Sequence, residues 1–445
     1  MGKVPAHEVQ HTRLRDLSAA YWWLWFAELV IWIGRFVVPF MTLFLTRDVG
    51  LSASAAGLVV SAYGLGVVVS AMVGGILADR LGRKRTLLGS LLLSAATVML
   101  IPFAQEALLI CILLFVYGLF NGAAQPVMVT MVGDMVEPRH RRTAYNYTFW
   151  AVNLGYAIGP LIAGFMADRT FVLVFFGQAA LLLTATAIVA AKVPESHSAG
   201  RARRSPRRRM LRRRPPASNT AESIQSSPPV PRPGRGSIGR VLTDGVFMTF
   251  ACVMLLYSIV YVQSMTTLPL VMADQGFSPV SYGYLLTLNG LLLCLLQIPT
   301  AKWLNRFSRD AVIVVAILVT GLGVGSQAAA ATFLFYCAAV AVWTLGEMGS
   351  HPQAQSVAAD LADHTQHGRY QGVYSLNHSI AMVVGPILGG AVLDGFGHEA
   401  LWLGAGGVCV LAAVLLAVTG PARRRRLGQR YEEDRLRRYD AEAAL

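Results

Sequence analysis

Charge is scarce in this chain of 445 residues, of which 14% are Asp, Glu, Lys or Arg; soluble domains carry about 25%. That deficit excludes a globule wetted on all sides. Acid is scarcer than base, with 24 Asp and Glu against 38 Lys and Arg, giving a formal net charge of +14. Cysteine is limited to Cys111, Cys252, Cys294, Cys337 and Cys409. All five fall inside apolar runs with no metal-ligand spacing, so neither a disulfide framework nor a metal centre is expected. No nucleophile or nucleotide-binding constellation is visible, so the chain does not read as an enzyme and no cofactor is expected. The first 20 residues are polar and the apolar run after them is too long for an h-region, so no cleavable signal peptide is expected.

What the chain has instead is apolar length, with 55% hydrophobic residues. Runs of about 20 residues, enough to cross roughly 30 Å of hydrocarbon, can be read twelve times. They lie at Tyr21 to Leu45, Ala53 to Ala78, Thr86 to Pro102, Ala107 to Val132, Tyr145 to Ala167 and Phe171 to Ala190. The second six are Val246 to Met272, Val280 to Thr300, Ala311 to Gln327, Thr332 to Ala358, Gln371 to Leu393 and Leu401 to Val418. The expected fold is an all-α membrane protein of twelve helices.

Cations collect in alternate gaps: Arg80, Arg83, Lys84 and Arg85, then Arg139, Arg141 and Arg142, then Lys302, Arg306 and Arg309. Retention of Lys and Arg on the cytoplasmic side then predicts a multi-pass plasma-membrane protein with both termini in the cytoplasm. The gap before Gln371 fits least, because Asp360 and Asp363 outnumber Arg369. Much of the positive excess sits in a Pro-, Ser- and Arg-rich stretch without apolar periodicity, which reads as a disordered linker. Its Arg203 to Arg214 cluster is a candidate contact for anionic lipid, or a solvated linker that enforces topology. Nucleic acid is not an expected partner. The predicted organisation is a six-helix bundle over 1–193, the linker over 194–243, a second bundle over 244–420 and a cytoplasmic tail over 421–445.

The two bundles are copies. An offset of 226 residues carries Asp48 onto Asp274, Gly50 onto Gly276, Ser52 onto Ser278, Gly64 onto Gly290, Arg80 onto Arg306 and Arg83 onto Arg309. It continues through Pro126 and Pro352, Asp134 and Asp360, Gly159 and Gly385, Pro160 and Pro386, Gly164 and Gly390, and Asp168 and Asp394. Identities of Gly, Pro and charge at one gapless shift indicate duplication.

After the second run stands a short pattern: Gly, three residues, Asp, a base, one residue, Gly, Arg and a base. It is filled by Gly75, Asp79, Arg80, Gly82, Arg83 and Lys84, and it resembles motif A of the major facilitator superfamily of transporters. The resemblance implies two parallel six-helix halves with a substrate site between them near the membrane midplane. It also implies that Asp79 faces the N-terminal end of the eleventh helix and that a loop Arg pairs with Asp134, forming a gate on the cytoplasmic face. The second copy departs, with Asn305, Ser308 and Asp310 at the places of Asp79, Gly82 and Lys84. The first half is therefore expected to hold the stronger latch. The fifth run carries Gly155, Gly159, Pro160 and Gly164, resembling motif C of proton-coupled antiporters, with Ala163 in place of one Gly. Ordinary small-residue packing is the alternative for that stretch.

Ionisable groups inside the membrane are functional candidates. Glu28 and Arg35 are seven residues apart, close to one helical face with a rise of about 10 Å. Glu28 is a candidate protonation site, and Arg35 a tuner of it or an anion-binding group; a purely structural pair is the alternative. The offset maps Asn121 onto Glu347 and Gln125 onto His351. Because the resemblance makes the first, fourth, seventh and tenth helices line the cavity, Glu347 is a second proton-site candidate and His351 a third. Trp343, Tyr257, Tyr261 and Gln263 complete the cavity candidates, while Asn153, Asn289, Asn377 and His378 are expected to make interhelical hydrogen bonds. Aromatic walls with few charges suit lipophilic or cationic compounds. The expected activity is proton-coupled efflux of such small molecules by a monomer, with uptake of a polar metabolite as the alternative and a non-transport membrane sensor as the less favoured one.

Overall fold

A computed structural model describes residues 17–195, 238–362 and 366–443. The Arg203 to Arg214 cluster, most of the linker and Asp363 lie outside the described residues. In hydrocarbon every backbone N–H and C=O needs an internal partner, so each apolar run becomes a helix. Eleven described helical stretches have the length and composition to cross a membrane. The last of them, His367–Arg430, is broken at Gly397, whose φ of 80° no helix adopts, and so supplies two crossings.

The first half comprises α1 (Ala19–Ile33), α2 (Val37–Arg47), α3 (Ala53–Leu81), α4 (Arg83–Leu100), α5 (Ala107–Met135), α6 (Arg141–Arg169) and α7 (Phe171–Lys192). The second comprises α8 (Ile238–Leu242), α9 (Gly245–Thr266), α10 (Leu268–Asp274), α11 (Pro279–Leu304), α12 (Arg309–Ser326), α13 (Phe333–Asp360) and α14 (His367–Ala443), the last in two arms around Gly397. The duplication is visible in the turns. Gly50 and Gly276 both take positive φ, 78° and 85°, and each is followed by a capping serine: Ser52 accepts from the Ala55 N–H and Ser278 from the Ser281 N–H. Gly82 has φ 95°, whereas Ser308 at its equivalent turns in extended conformation, at φ −66° and ψ 137°. The second copy of the loop reaches its helix by another route.

Two sequence boundaries move. The first run is not one helix: it breaks over Gly34, Arg35 and Phe36, and the backbone N–H of Val37 is taken up by Gln178 Oε1 at 2.8 Å. The last run does not stop near Val418. Its helix continues to Ala443, because Arg423 and Arg426 dock on the second half instead of leaving as a free tail.

Within the first half α3 packs on α5, α4 on α5 and α7, and α1 on α6 and α7; within the second, α9 packs on α14, α12 on α13 and α14, and α11 on α13. The halves meet along two seams, α3 against the first arm of α14 and α6 against α11. The seams repeat each other under the 226 offset. Gly64 faces Met382 and Gly290 faces Ala157; a Cβ on either would lie 2.6 Å from the opposing backbone carbon. Gly57 faces Pro386 as Gly283 faces Pro160, and Gly390 faces Ala53 as Gly164 faces Pro279. Glycine is needed at these places because backbone meets backbone. Ring contacts Phe40 with Tyr282 and Phe165 with Tyr284 join the same ends. Among the described residues, every hydrogen bond and ring pair between halves lies in the part of the molecule away from the cationic loops. Toward those loops no hydrogen bond or ring pair joins the halves among the described residues.

Candidate functional site

In the first half the candidate site is built on the break between α1 and α2. Gln178 on α7 holds the freed Val37 N–H and donates its amide to the Tyr117 hydroxyl. The Tyr117 ring sits 5.3 Å from that of Tyr63, whose hydroxyl donates to Asn121 Oδ1 at 3.1 Å. Asn121 is thus a buried link between α3 and α5. Arg35 projects from the break, lies over the Trp32 ring at 4.6 Å and hydrogen-bonds the Tyr63 hydroxyl. Glu28 is buried and accepts from Trp32 Nε1 at 3.0 Å. The break removes the single helical face on which Glu28 and Arg35 were expected to sit, and they form no ion pair. Trp32 stands between them and touches both.

Glu347, near the middle of α13, is the corresponding carboxylate of the second half. Tyr261 on α9 donates to its Oε1 at 2.9 Å and Asn289 on α11 donates to its Oε2 at 2.9 Å. Asn289 also donates to Thr344 at 3.0 Å. One acid therefore ties three helices. His351, one turn on, lies 5.0 Å ring to ring from Tyr261 and 5.5 Å from Tyr257, and its Nε2 has no hydrogen-bond partner among the described residues. Tyr257 pairs with Ser350 at 2.7 Å. From the first half, Tyr156 on α6 lies within electrostatic reach of Glu347, and His378 on α14 lies within reach of both Arg35 and His351.

Other expected residues sit elsewhere. Gln263 is buried at the contact with α14, donating to the Gly385 carbonyl at 2.9 Å and accepting from Thr267. Trp343 is buried against α12, where Gly323 makes room for its backbone. Gln125 is exposed. Neither Gln263 nor Trp343 joins the Glu347 cluster. Sequence reasoning passed over Tyr63, Tyr117, Tyr156 and Gln178; a lone glutamine in an otherwise apolar run is the signal that points to Gln178.

The loop motif has a definite geometry. Arg83 forms an ion pair with Asp134 and donates to the Thr130 carbonyl at 3.2 Å. Lys84 Nζ caps the Ala190 carbonyl at 2.8 Å while its N–H donates to Glu195 at 3.0 Å. Arg80 is exposed, and the surroundings of Gly75 and Asp79 lie outside the described residues. The second copy has kept its pair, Arg309 with Asp360, at the equivalent positions. Asp310, at the place of Lys84, is matched by a base from the far end of its half: Arg423 donates to it at 3.0 and 3.1 Å. The sign of the contact is reversed and the contact survives. In the fifth run Gly155 and Gly159 admit the α1 backbone at Trp32 and Ile33, whereas Pro160 and Gly164 meet α11. That motif is a two-sided packing surface.

Two stretches, 24–278 and 246–438, match the family described as Major Facilitator Superfamily. Among curated relatives, an uncharacterized MFS-type transporter, YttB of Bacillus subtilis strain 168, is 26% identical over 390 residues, covering 87% of this chain and 90% of that protein. The multidrug resistance protein MdtH of Aeromonas hydrophila is 24% identical over 375 residues, covering 84% and 87%. Among solved structures, the POT family transporter PepTSo superposes with a TM-score of 0.69 at 17% identity, covering 91% of this chain and 98% of that one. The nucleoside transporter NupG gives a TM-score of 0.69 at 11% identity, covering 92% and 99%. With two seamed six-helix halves, a duplicated loop motif and a family match over both halves, the chain belongs to the Major Facilitator Superfamily of membrane transporters.

Proposed function

We propose that this transporter is a proton-coupled exporter of small lipophilic or cationic compounds, working as a monomer in a plasma membrane with both termini in the cytoplasm. The carrying observation is Glu347, a buried carboxylate near the middle of α13 held by donors from two other helices. As drawn, both of its oxygens accept. Protonation turns one oxygen into a donor: on Oε2 it meets the Asn289 nitrogen, which cannot accept, so that link must break or flip, and on Oε1 it reverses the bond with the Tyr261 hydroxyl. The packing of α9, α11 and α13 is thereby coupled to proton occupancy, with Glu28 as the equivalent group in the first half and His351 beside Glu347 as the relay. A proton arriving from outside displaces a cationic cargo, and departure of the proton to the cytoplasm restores the binding form. Tyr257, Tyr261 and Tyr156 supply aromatic walls, and Arg35 and Asn121 the polar edge. Arg83 with Asp134 forms the latch of the cytoplasmic face, to which the motif assigns Asp79 as well; the Arg203 to Arg214 cluster contacts anionic lipid. The name borne by the MdtH relatives supports the cargo class.

A second reading, uptake of a polar metabolite, draws on Arg35, a cation in the cavity with no carboxylate at ion-pair distance among the described residues. Transport in proteoliposomes under an imposed pH gradient separates the two. Export requires gradient-driven movement of lipophilic cations opposite to the proton, lost in Glu347→Gln or Glu28→Gln. Gradient-independent flux, or proton coupling intact in both variants, would sink it.

A further inference from the structure

Asp394, at the end of the first arm of α14, belongs to one half and bonds to the other. Its carboxylate accepts from the backbone N–H of Ala53 at 3.2 Å and of Ser54 at 2.7 Å, and from the Ser54 hydroxyl at 2.6 Å. These are the first free N–H groups of α3, where an anion is favoured both by the unpaired donors and by the helix dipole. Ser54 also donates to the Gly390 carbonyl at 3.3 Å. The Ser52 side chain adds a further hydrogen bond to Asp394, so the hydrogen bonds between the halves among the described residues gather at this one helix start. The rest of the contact is glycine against backbone, the Phe40–Tyr282 and Phe165–Tyr284 ring pairs, and Arg47 within electrostatic reach of Asp274, without a further hydrogen bond among the described residues.

Duplication supplies the comparison. The offset carries Asp394 onto Asp168, and Ala53 and Ser54 onto Pro279 and Val280 at the start of α11. Proline has no N–H to give and valine no hydroxyl. Asp168, exposed like Asp394, makes no hydrogen bond or ion pair among the described residues. The two seams have the same steric design and only one has a fastening.

We propose that Asp394 is the latch of the closed face, a positioning residue that acts through the N-terminus of α3 and must release it each time the transporter opens on that side. A carboxylate on two backbone donors and a hydroxyl is charge-assisted. It is also reached by water, since a pocket of about 520 Å³ beside it is lined by Arg47, Asp274 and His398. Such a contact biases a two-state equilibrium without freezing it. The asymmetry predicts that opening begins at the α6–α11 seam and ends at the α3–α14 seam. This goes beyond the export reading, because the latch is scored by distance without cargo or proton gradient.

The test is a pair of spin labels at Glu106→Cys and Ala331→Cys, exposed sites on the latched face of opposite halves, in a chain whose five native cysteines are replaced. The parent should show one short distance population. Asp394→Asn should raise the ratio of long to short distances by about tenfold, Ser54→Ala should raise it less, and Asp168→Asn should leave it unchanged. An unchanged distribution in Asp394→Asn, or an equal shift in Asp168→Asn, overturns the proposal. If Asp394→Asn does not fold, Ser54→Ala decides, and no shift there overturns it.

Discussion

At the scale of single residues, the chain economises on charge and then assigns each buried charge a partner. Asp244, the N-cap of α9, accepts from Arg426, from the Tyr370 hydroxyl at 2.6 Å and from the Phe247 N–H at 3.2 Å. Burial pushes its carboxyl up, but the Arg426, Tyr370 and Phe247 hydrogen bonds outweigh burial and hold it below the ordinary 3.8. A carboxyl lowered by folding stabilises the fold above its unfolded pKa and loses that contribution as pH falls through the folded value. Thermal unfolding of the purified transporter should therefore be insensitive to this group from neutral pH down to about 4, then lose stability more steeply than Asp244→Asn below it. Equal slopes in the two proteins would remove Asp244 from the account. Tyr261→Phe takes one donor from Glu347 while keeping the ring against His351. It should slow proton-driven transport by about tenfold and lower the unfolding temperature by a few degrees, in line with the loss of a hydrogen bond to a buried charged group.

At the scale of elements, glycine and arginine do different jobs. Gly64, Gly290, Gly164 and Gly390 set how closely the halves approach, so Gly64→Leu or Gly290→Leu should abolish transport without loss of helix content. Gly89→Ala, with open space around its Cβ position, should leave both transport and melting temperature unchanged. The second arm of α14 is fastened by Arg423, which is 1% exposed and bonds to Asp310, Thr419 and the Leu416 carbonyl. Arg423→Ala leaves the mostly buried Asp310 carboxylate with the exposed Arg424 at 3.5 Å as its remaining ion pair among the described residues, a loss of about 1–3 kcal/mol, read as a fall of a few degrees in unfolding temperature; Arg425→Ala, on the exposed side, should not move it. These elements also mark the limit of what the sequence discloses. The apolar runs were legible because hydrocarbon length is a strong constraint. The break at Gly34 to Phe36 was not, since its support, Gln178, is 141 residues from Val37. Nor was the helix beyond Val418, because an arginine run reads as a solvated tail until Asp310 and Asp244 are brought beside it.

At the scale of the whole molecule, the 226-residue offset was the most productive sequence observation, because it predicted which residues would be equivalent before any contact was known. It extends to Arg83 with Asp134 against Arg309 with Asp360, and to both glycine seams. It was silent about where the copies diverge functionally. The loss of Asp79 and Lys84 equivalents suggested a weakened second latch, yet Asp310 found Arg423 and the pair of Arg309 persisted. The carboxylates were legible as types, Glu28 and Glu347 being acids in apolar runs, while their partners Trp32, Tyr261 and Asn289 come from contacts that only the fold creates. Gln263 and Trp343 share helices with cavity residues and face neighbouring helices, a distinction of helix rotation that apolar membrane sequences encode weakly because lipid and core are equally greasy.

The central claim is that a cationic cargo and a proton exclude each other at Glu347. It is tested most directly by adding tetraphenylphosphonium to the purified transporter in weakly buffered detergent solution and following the pH. The account predicts release of about one proton per bound cation in the parent, and none from Glu347→Gln under conditions where the cation still binds. Binding without proton release in the parent, or undiminished release from Glu347→Gln, would contradict it.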